Sequence, residues 1–406
     1  MPRFDVHAYL SNFSSNESQT RTQVETVPIG DLSYPRFANE FWTARQRQAV
    51  SLHEVAYRAC FKPQLPRFFI ERLTQPGDVV YDPFSGRGTT MIEAALLGRN
   101  VIANDINPLS RILSLPRLCI PDLDELAERL AQIPTDENAC AEIDLKMFYH
   151  RETLREIVSL RHYLLDTCAR DQLDAWIRMV ATNRLTGHSS GFFSVYTLPP
   201  NQAVSPASQR KINAKRQQRP PYRDTRALIL KKSRQLVKEL SAEEIANVQR
   251  AGQGARFLNC DARETRAIPD ASVQLTVTSP PFLDVVQYAQ DNWLRCWFNG
   301  IDAQAIATRI TSSKNVTEWS TVMRAVFAEL YRITQPGGWV AFEVGEVRKG
   351  AIKLDEHVVP LGVQAGFACK GILVNQQTFT KTANIWGIQN NARGTNSNRV
   401  VMFYKK

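Results

Sequence analysis

A strand, a glycine loop, a helix and a second strand follow one another between residues 79 and 105, and this pattern constrains the fold most. The apolar run Val79-Val80-Tyr81 predicts a buried strand, and the loop Asp82-Pro83-Phe84-Ser85-Gly86-Arg87-Gly88-Thr89-Thr90 follows it directly. A helical pattern then runs to Gly98, and Val101-Ile102-Ala103 predicts a strand that ends at Asn104-Asp105. Such a βαβ unit pairs two parallel strands and therefore predicts an α/β sheet.

The same alternation of strands and helices resumes near residue 255. Apolar runs at 255–258, 275–277 and 337–344 predict three more strands, and two β-like runs close the chain at 371–380 and 399–404. Helical patterns fill most of the interval between the second and third strands. We therefore predict a Rossmann-like, mostly parallel sheet with an antiparallel C-terminal strand and a mainly helical insertion.

These patterns divide the chain into three parts. The region 10–30 is rich in Ser, Asn, Thr and Gln, which favours a mobile segment over a packed one. We predict a mobile N-terminal arm over 1–40, a core formed by 41–110 and 255–406, and a helical insertion over 111–254.

Composition narrows the class of protein. An apolar share of 43% suffices for a sizeable core, and the net charge of +10 favours polyanionic partners. Seven cysteines without a Cys-x-x-Cys pair or a Cys/His cluster predict no disulfide framework and no metal site. The N-terminus lacks an apolar signal core, and no run reaches the length of a membrane span. These features predict a soluble, cytoplasmic protein.

The glycine loop indicates a cofactor that carries an adenosine. Gly86 and Gly88 allow close approach of the backbone, and Asp105, 19 residues after Gly86, has the spacing of an acid that binds ribose hydroxyls. Asp261, after the third strand, is the candidate for the adenine edge. Asp82 before the loop would repel a phosphate but suits a cationic sulfonium, so S-adenosylmethionine fits better than NAD.

A second segment, Thr278-Ser279-Pro280-Pro281-Phe282, follows the fourth predicted strand. Ser279 can offer its hydroxyl oxygen and Pro280 its carbonyl to the hydrogens of an exocyclic amino group, whose lone pair is otherwise delocalised into a base. Phe282 can stack on a base that is flipped out of a duplex. The carboxyl ends of parallel strands share one edge, so we expect this turn and the glycine loop to face one crevice.

The order of these motifs, together with Lys62-Pro63-Gln64-Leu65-Pro66, is similar to that in the N4-cytosine/N6-adenine DNA methyltransferases. The resemblance covers roughly 55–110 and 255–406 and implies the class I methyltransferase sheet with S-adenosylmethionine as cofactor. It implies catalytic roles for Ser279, Pro280, Pro281 and Phe282. The implied cofactor site, with the two acids predicted above, comprises Phe61, Lys62, Pro63, Asp82, Phe84, Gly86, Gly88, Thr89, Asp105, Asp261 and Thr278.

The choice of target base depends on the first position of the Ser-Pro-Pro-Phe tetrapeptide. In the family, serine at the first position of the tetrapeptide is typical of N4-cytosine enzymes, and Asp or Asn is typical of N6-adenine enzymes. Ser279 therefore predicts methylation of cytosine N4. An insertion between the cofactor half and the catalytic half is most familiar from adenine enzymes, so N6-adenine methylation is the alternative.

A basic stretch in the insertion predicts contact with double-stranded DNA. Between Arg210 and Arg234 the only acid is Asp224, and neutralisation of phosphates is the economical explanation for so many cations. A solvated helix face is the alternative. We predict target recognition by the insertion, with phosphate contacts from Arg210, Lys211, Lys215, Arg216, Arg219 and Arg223.

Other readings stay open at this point. An RNA base methyltransferase and a DNA-binding module without activity are less favoured than DNA methylation. The sequence distinguishes neither a monomer from a homodimer nor a solitary enzyme from the partner of a restriction endonuclease.

Overall fold

The structure of the protein is a computed structural model. It describes residues 5–14, 20–43, 50–57, 60–166, 171–199, 203–281, 288–310, 313, 315–347, 352–376 and 397–406. The predicted stacking residue Phe282 lies outside these ranges.

A nine-stranded sheet forms the centre of the fold, with strand order β1-β2-β10-β11-β7-β6-β3-β4-β5, and β8 and β9 form a separate ribbon. The strands are β1 Gln23–Ile29, β2 Leu32–Asn39, β3 Val79–Asp82, β4 Asn100–Asn104, β5 Arg256–Leu258, β6 Val273–Thr278, β7 Thr334–Val344, β8 Glu346–Val347, β9 Ile352–Lys353, β10 Ala368–Gln376 and β11 Ser397–Tyr404.

Helices cover both faces of the sheet. They are α1 Val6–Ser11, α2 Gln64–Leu73, α3 Thr89–Leu96, α4 Pro108–Ser114, α5 Leu123–Gln132, α6 Arg151–Asp166, α7 Gln172–Arg184, α8 Pro206–Arg216, α9 Thr225–Val237, α10 Ala242–Gly254, α11 Tyr288–Phe298, α12 Ala303–Arg309, α13 Val316–Ile333 and α14 Leu354–Gln364. No helix in the described ranges has the length and apolar character needed to cross a membrane.

The predicted sheet is confirmed. Strand β3 pairs in parallel with β4 and β6, β7 pairs in parallel with β6, and β11 runs antiparallel between β7 and β10. Alternate residues of β7 enter opposite layers: Trp339 and Ala341 pack in one apolar cluster, and Val340 and Phe342 pack in the other. Burial on both faces explains why these strands are nearly continuous apolar runs in the sequence.

The predicted mobile arm over 1–40 is wrong for residues 23–39. Strands β1 and β2 form a hairpin, and β2 pairs in parallel with β10, so the hairpin extends one end of the sheet. Phe37 is fully buried, and the Asn375 side-chain oxygen accepts hydrogen bonds from the backbone of Phe41 and Trp42. The polar composition reflects an edge strand exposed to solvent, whose backbone is satisfied by pairing rather than by side chains.

The helical insertion was predicted to end at residue 254, but its last helix already packs against the core. Helix α10 packs along α3 and completes the crossover from β4 to β5. A Cβ at Gly252 would lie 2.4 Å from the Leu118 carbonyl oxygen, so this glycine allows α10 to approach the 3-10 helix Leu115–Leu118. The contact joins the end of the insertion to the layer that supports β3.

Candidate active site at the carboxyl ends of the strands

A cavity of about 250 Å³ opens where β3, β4, β5 and β6 end. The glycine loop and the Ser-Pro-Pro turn both line it, as the sequence predicted from the shared edge of parallel strands. The predicted site residues in its wall are Phe61, Phe84, Gly86, Asp105, Asp261, Ser279, Pro280 and Pro281. The described lining does not include Lys62, Pro63, Asp82, Gly88, Thr89 or Thr278.

The two glycines of the loop serve different contacts. Gly86 has a φ of +53° and donates its N–H to Asp105 Oδ2 at 2.8 Å, on the cavity side. Gly88 has a φ of +77° at the start of α3, where a Cβ would lie 2.6 Å from Ser114 Oγ. Gly86 therefore shapes the wall of the cavity, whereas Gly88 permits packing against the end of α4.

Asp105 anchors the loop from the neighbouring strand. Its Oδ2 accepts from Gly86, its Oδ1 accepts from the Asn107 N–H at 2.9 Å, and burial raises its pKa to about 6. A carboxylate has about four acceptor sites, so acceptor capacity remains for a ligand in the cavity.

Asp82 lies beneath the loop and links the two halves of the site. It is 2% exposed, and its Oδ1 accepts from Thr278 Oγ1 at 2.6 Å and from the Phe84 N–H at 3.1 Å. The Thr90 hydroxyl adds a second link by donating to the Val277 carbonyl at 3.1 Å. These bonds join the end of β3 to the end of β6, so Asp82 and Thr278 support the wall rather than form it.

Replacing Asp82 with asparagine is expected to make folding stability less dependent on pH. Burial raises the Asp82 pKa from 3.8 to about 7, so the folded state binds this proton more tightly than the unfolded state. Wild-type stability therefore falls as the pH rises from about 4 to 7, whereas a neutral asparagine keeps an acceptor for Thr278. The variant should gain roughly 2 kcal/mol over wild type between pH 5.5 and pH 8.

Urea unfolding of both proteins at the two pH values measures this gain. Glu264→Gln, at an exposed acid paired with Arg266, is the control and should follow the wild-type pH profile. A stability difference between Asp82→Asn and wild type that stays the same at both pH values would contradict the prediction.

The Ser-Pro-Pro turn is held from α13. Trp319 is fully buried, and its indole Nε1–H donates to the Pro281 carbonyl at 3.0 Å. The same side chain lines the cavity beside Ser279 and Pro280. Sequence reasoning missed Trp319, because a tryptophan on an amphipathic helix reads as ordinary core.

A buried acid stands beside Ser279. Glu343 on β7 is 6% exposed and lines the cavity beside Ser279, whose hydroxyl partly offsets the effect of burial on the Glu343 pKa. Asn398 Nδ2, from β11, donates to Glu343 Oε1 at 3.0 Å, and burial raises the Glu343 pKa. Sequence reasoning missed both residues, although a lone carboxylate inside the apolar run 337–344 was a usable signal.

Asp261 lines the cavity after β5, as predicted, but its carboxylate is already paired. Arg263 donates from Nε to Oδ1 at 2.9 Å and from a terminal guanidinium nitrogen to Oδ2 at 2.6 Å. These bonds lower the Asp261 pKa and keep it ionised. The pairing leaves fewer acceptor sites for an adenine edge than a free carboxylate would offer.

The predicted phosphate-binding residues differ in their contacts and in their exposure to solvent. Arg210 pairs with Asp144 at 2.8 Å, Arg216 lies 3.9 Å over the Tyr196 ring, and Arg223 is half-buried. Lys211, Lys215 and Arg219 are exposed.

Helix α8 carries Arg210, Lys211, Lys215 and Arg216. The segment before it contacts α11, the helix that follows the Ser-Pro-Pro turn in the chain. Ala203 N–H donates to the Asp291 carbonyl at 3.4 Å, and Trp293 Nε1 donates to the Val204 carbonyl at 3.3 Å. The segment leading into α8 is therefore anchored next to the element that leaves the active-site turn.

Residues 12–110 match a protein-family model for N6/N4 methyltransferases, described as DNA methylase. The matched segment contains the glycine loop and Asp105, and it also contains the β1–β2 hairpin.

Two type II methyltransferases are similar in sequence to this chain over short segments. The type II methyltransferase M.MjaII of Methanocaldococcus jannaschii is 35% identical over 74 residues, which is 18% of this chain and 14% of that protein. M.MvaI of Kocuria varians, also a type II methyltransferase, is 43% identical over 61 residues, 14% of this chain and 13% of that protein. The matches thus span a small part of either relative.

Among solved structures, a TehB-like SAM-dependent methyltransferase from Corynebacterium glutamicum aligns with a TM-score of 0.30 at 8% identity, over 84% of this chain and 87% of that one. The family expectation drawn from the motifs is confirmed by the family model and the two relatives. Over residues 12–110 the chain is therefore similar to the amino-methylating (N4-cytosine/N6-adenine) DNA methyltransferases.

Proposed function

We propose that this protein is an S-adenosylmethionine-dependent DNA methyltransferase that modifies the N4 amino group of cytosine in a flipped-out base. One observation carries the proposal: the acceptors of the Ser-Pro-Pro turn and the glycine loop with Asp105 line one cavity. A cofactor and a base can therefore meet there. The family model that matches residues 12–110, described as DNA methylase, supports DNA as the substrate.

The residues of the cavity fit an adenosine-bearing cation. Asp105 retains acceptor capacity for ribose hydroxyls, and Phe61 and Phe84 supply aromatic surface for an adenine ring. The acids Asp105 and Asp261 place negative charge at the wall, which suits a sulfonium better than a phosphate. We assign the cofactor to Phe61, Phe84, Gly86, Asp105 and Asp261.

The chain's own groups act on the exocyclic amino group of the base: they draw its hydrogens out of the plane of the ring. Ser279 Oγ and the Pro280 carbonyl accept those hydrogens and free the lone pair of N4. When bound, the cofactor would supply an electrophilic methyl group to the freed N4 lone pair and would keep the C–S electron pair on its sulfur, and one amino proton would leave to solvent. The rigid prolines and the Trp319 bond keep the acceptors in place.

Ser279 supports cytosine over adenine, because serine at this position is typical of the N4-cytosine branch. Adenine N6 remains the second candidate, supported by the position of the insertion between the two halves of the core. Both bases present an amino group beside a ring nitrogen, so the same acceptors can serve either.

Incubation with labelled S-adenosylmethionine and duplex DNA, followed by digestion to nucleosides, tests the proposal. We expect label in N4-methylcytosine. Label in N6-methyladenine alone would overturn the choice of base, and equal or better labelling of RNA would overturn DNA as substrate. Failure to bind the cofactor in calorimetry would favour a DNA-binding module without activity.

Methylome sequencing of a host that expresses the protein then gives the recognition site. Resistance of that site to a restriction nuclease would link the enzyme to restriction–modification.

Replacing Lys211, Lys215 and Arg219 together with alanine is expected to weaken DNA binding and reduce its salt dependence. Each phosphate contact contributes about 0.9 to the slope of log affinity against log salt, so the slope should fall by up to about 3. Cofactor affinity should stay the same, because these exposed side chains are not part of the cavity wall. Fluorescence anisotropy with a labelled duplex at several salt concentrations measures the slope.

A matched control removes three exposed arginines near the amino end of β5, at the opposite edge of the sheet: Arg250, Arg256 and Arg266. The control should keep the wild-type slope. Equal slopes for both triple variants would show that the charges act through the net charge of the protein and not through a DNA-binding face.

A further inference from the structure

We propose that Glu343, held by Asn398, orients the Ser279 hydroxyl so that its oxygen accepts from the target amino group. The inference rests on the proposed function and adds a positioning residue to it. It answers a chemical question that Ser279 raises: a hydroxyl can donate as well as accept, and only the accepting orientation draws out an amino hydrogen.

The register of the sheet places the two side chains together. In the parallel pair β6–β7, Thr278 is opposite Phe342, so the next residues, Ser279 and Glu343, follow side by side at the same edge. The Ser279 hydroxyl lies beside the Glu343 carboxyl in the cavity wall and lowers its pKa, as a hydroxyl that donates to the carboxyl does. With its proton engaged there, the lone pairs of Ser279 Oγ remain for the cavity that both residues line.

Glu343 is itself held in position from the other side. In the antiparallel pair β7–β11 it is opposite Val400, and Asn398, two residues away, donates its side-chain N–H to Glu343 Oε1 at 3.0 Å. Charged or protonated, a carboxyl keeps an oxygen lone pair that can accept from Ser279. The orientation of the hydroxyl therefore does not depend on the ionisation of the acid.

A purely structural role explains Glu343 less well. Burial of a carboxyl among apolar strand residues is costly, and an apolar side chain would fill the position between Phe342 and Val344 more cheaply. The acid is 6% exposed, yet it lines the cavity beside Ser279, the acceptor residue of the proposed reaction. The free-energy cost of burying the Glu343 carboxyl beside the substrate cavity therefore indicates a role in the reaction.

A cycle of four proteins tests the proposal: wild type, Glu343→Leu, Ser279→Ala and the double variant, with Glu343→Gln as the conservative variant. Glu343→Leu removes the acceptor and should lower kcat roughly 30-fold. Glu343→Gln keeps an amide oxygen for Ser279, and the Asn398 amide can turn so that its own oxygen accepts from the new NH₂ group. This variant should stay within about threefold of wild type. In the Ser279→Ala background, where no hydroxyl remains, Glu343→Leu should cost less than about twofold more.

Two measurements besides turnover accompany the cycle. Calorimetry with S-adenosylmethionine and thermal melting should show all variants folded with wild-type cofactor affinity. Affinity for a duplex that carries uracil at the target position should rise about tenfold relative to cytosine in Glu343→Leu, because a released Ser279 can donate to the uracil carbonyl.

The outcomes separate the two proposals. If wild-type protein labels no amino group in DNA, both the proposed function and this inference fail. With an active wild type, a Glu343→Leu loss that is equally large in the Ser279→Ala background overturns the inference alone. So does a Glu343→Gln variant as slow as Glu343→Leu, because that result would make the acid a proton acceptor instead of an orienting group.

Discussion

Replacing Ser279 with alanine is expected to lower kcat on DNA roughly 100-fold, the usual cost of removing one preorganised polar group from a reaction centre. In the proposed function, the hydroxyl is one of two acceptors that the Ser-Pro-Pro turn offers to the target amino group. Its loss leaves the lone pair of that nitrogen more delocalised in the transition state. Single-turnover methylation with saturating cofactor and DNA measures the effect on the chemical step directly.

Binding should change little in the same variant. Ser279 lies at the end of β6, whereas the groups assigned to the cofactor follow β3, β4 and β5 or precede α2. Cofactor affinity should therefore stay within about twofold of wild type.

Ser272→Ala is the matched control for this prediction. Ser272 lies just before the amino end of the same strand, and its hydroxyl donates to the Pro269 carbonyl. The control should keep wild-type turnover. Undiminished activity in Ser279→Ala would remove the catalytic assignment of the turn.

Replacing Asp105 with asparagine is expected to weaken cofactor binding roughly 50-fold. The carboxylate accepts from the N–H groups of Gly86 and Asn107 at the same time. An amide has a single acceptor oxygen, so one of these N–H groups would face an NH₂ group. The loop then loses an anchor, and a ribose hydroxyl loses a charged acceptor, each worth about 1–2 kcal/mol.

Calorimetry with S-adenosylmethionine and with S-adenosylhomocysteine, which lacks the sulfonium charge, tests this assignment. Both ligands carry the ribose, so both affinities should fall by the same factor. A loss confined to the sulfonium would instead show that Asp105 acts through long-range charge. Asp136→Asn is the control, because Asp136 makes a similar contact to the Asn138 N–H in the insertion, and it should bind both ligands normally.

Local patterns in the sequence correctly predicted the features that depend on interactions between residues close in the chain. Alternating apolar and glycine-rich segments predicted the strands and the crossover helix, and the edge shared by parallel strands predicted that the two motifs meet. The hairpin at 23–39 was misjudged because composition reports exposure, and an exposed edge strand and a mobile arm have similar composition.

Local patterns did not predict the site residues that come together through contacts between distant segments of the chain. Trp319 touches the catalytic turn from 38 residues away, and Glu343 and Asn398 meet from 55 residues apart. Asp82 was correctly associated with the glycine loop, but its direction, toward Thr278 and away from the cavity, depends on the pairing of β3 with β6.

The sequence alone thus predicted the class of sheet, the likeness to the family and the two motifs that line one cavity. These features depend on residue type, spacing and periodicity along the chain. Only the tertiary structure decided which groups surround the catalytic turn: an indole that holds Pro281, and a buried acid and amide beside Ser279. The physical reason is that hydrogen bonds between strands follow the register of the sheet, which brings together side chains with no relation in sequence.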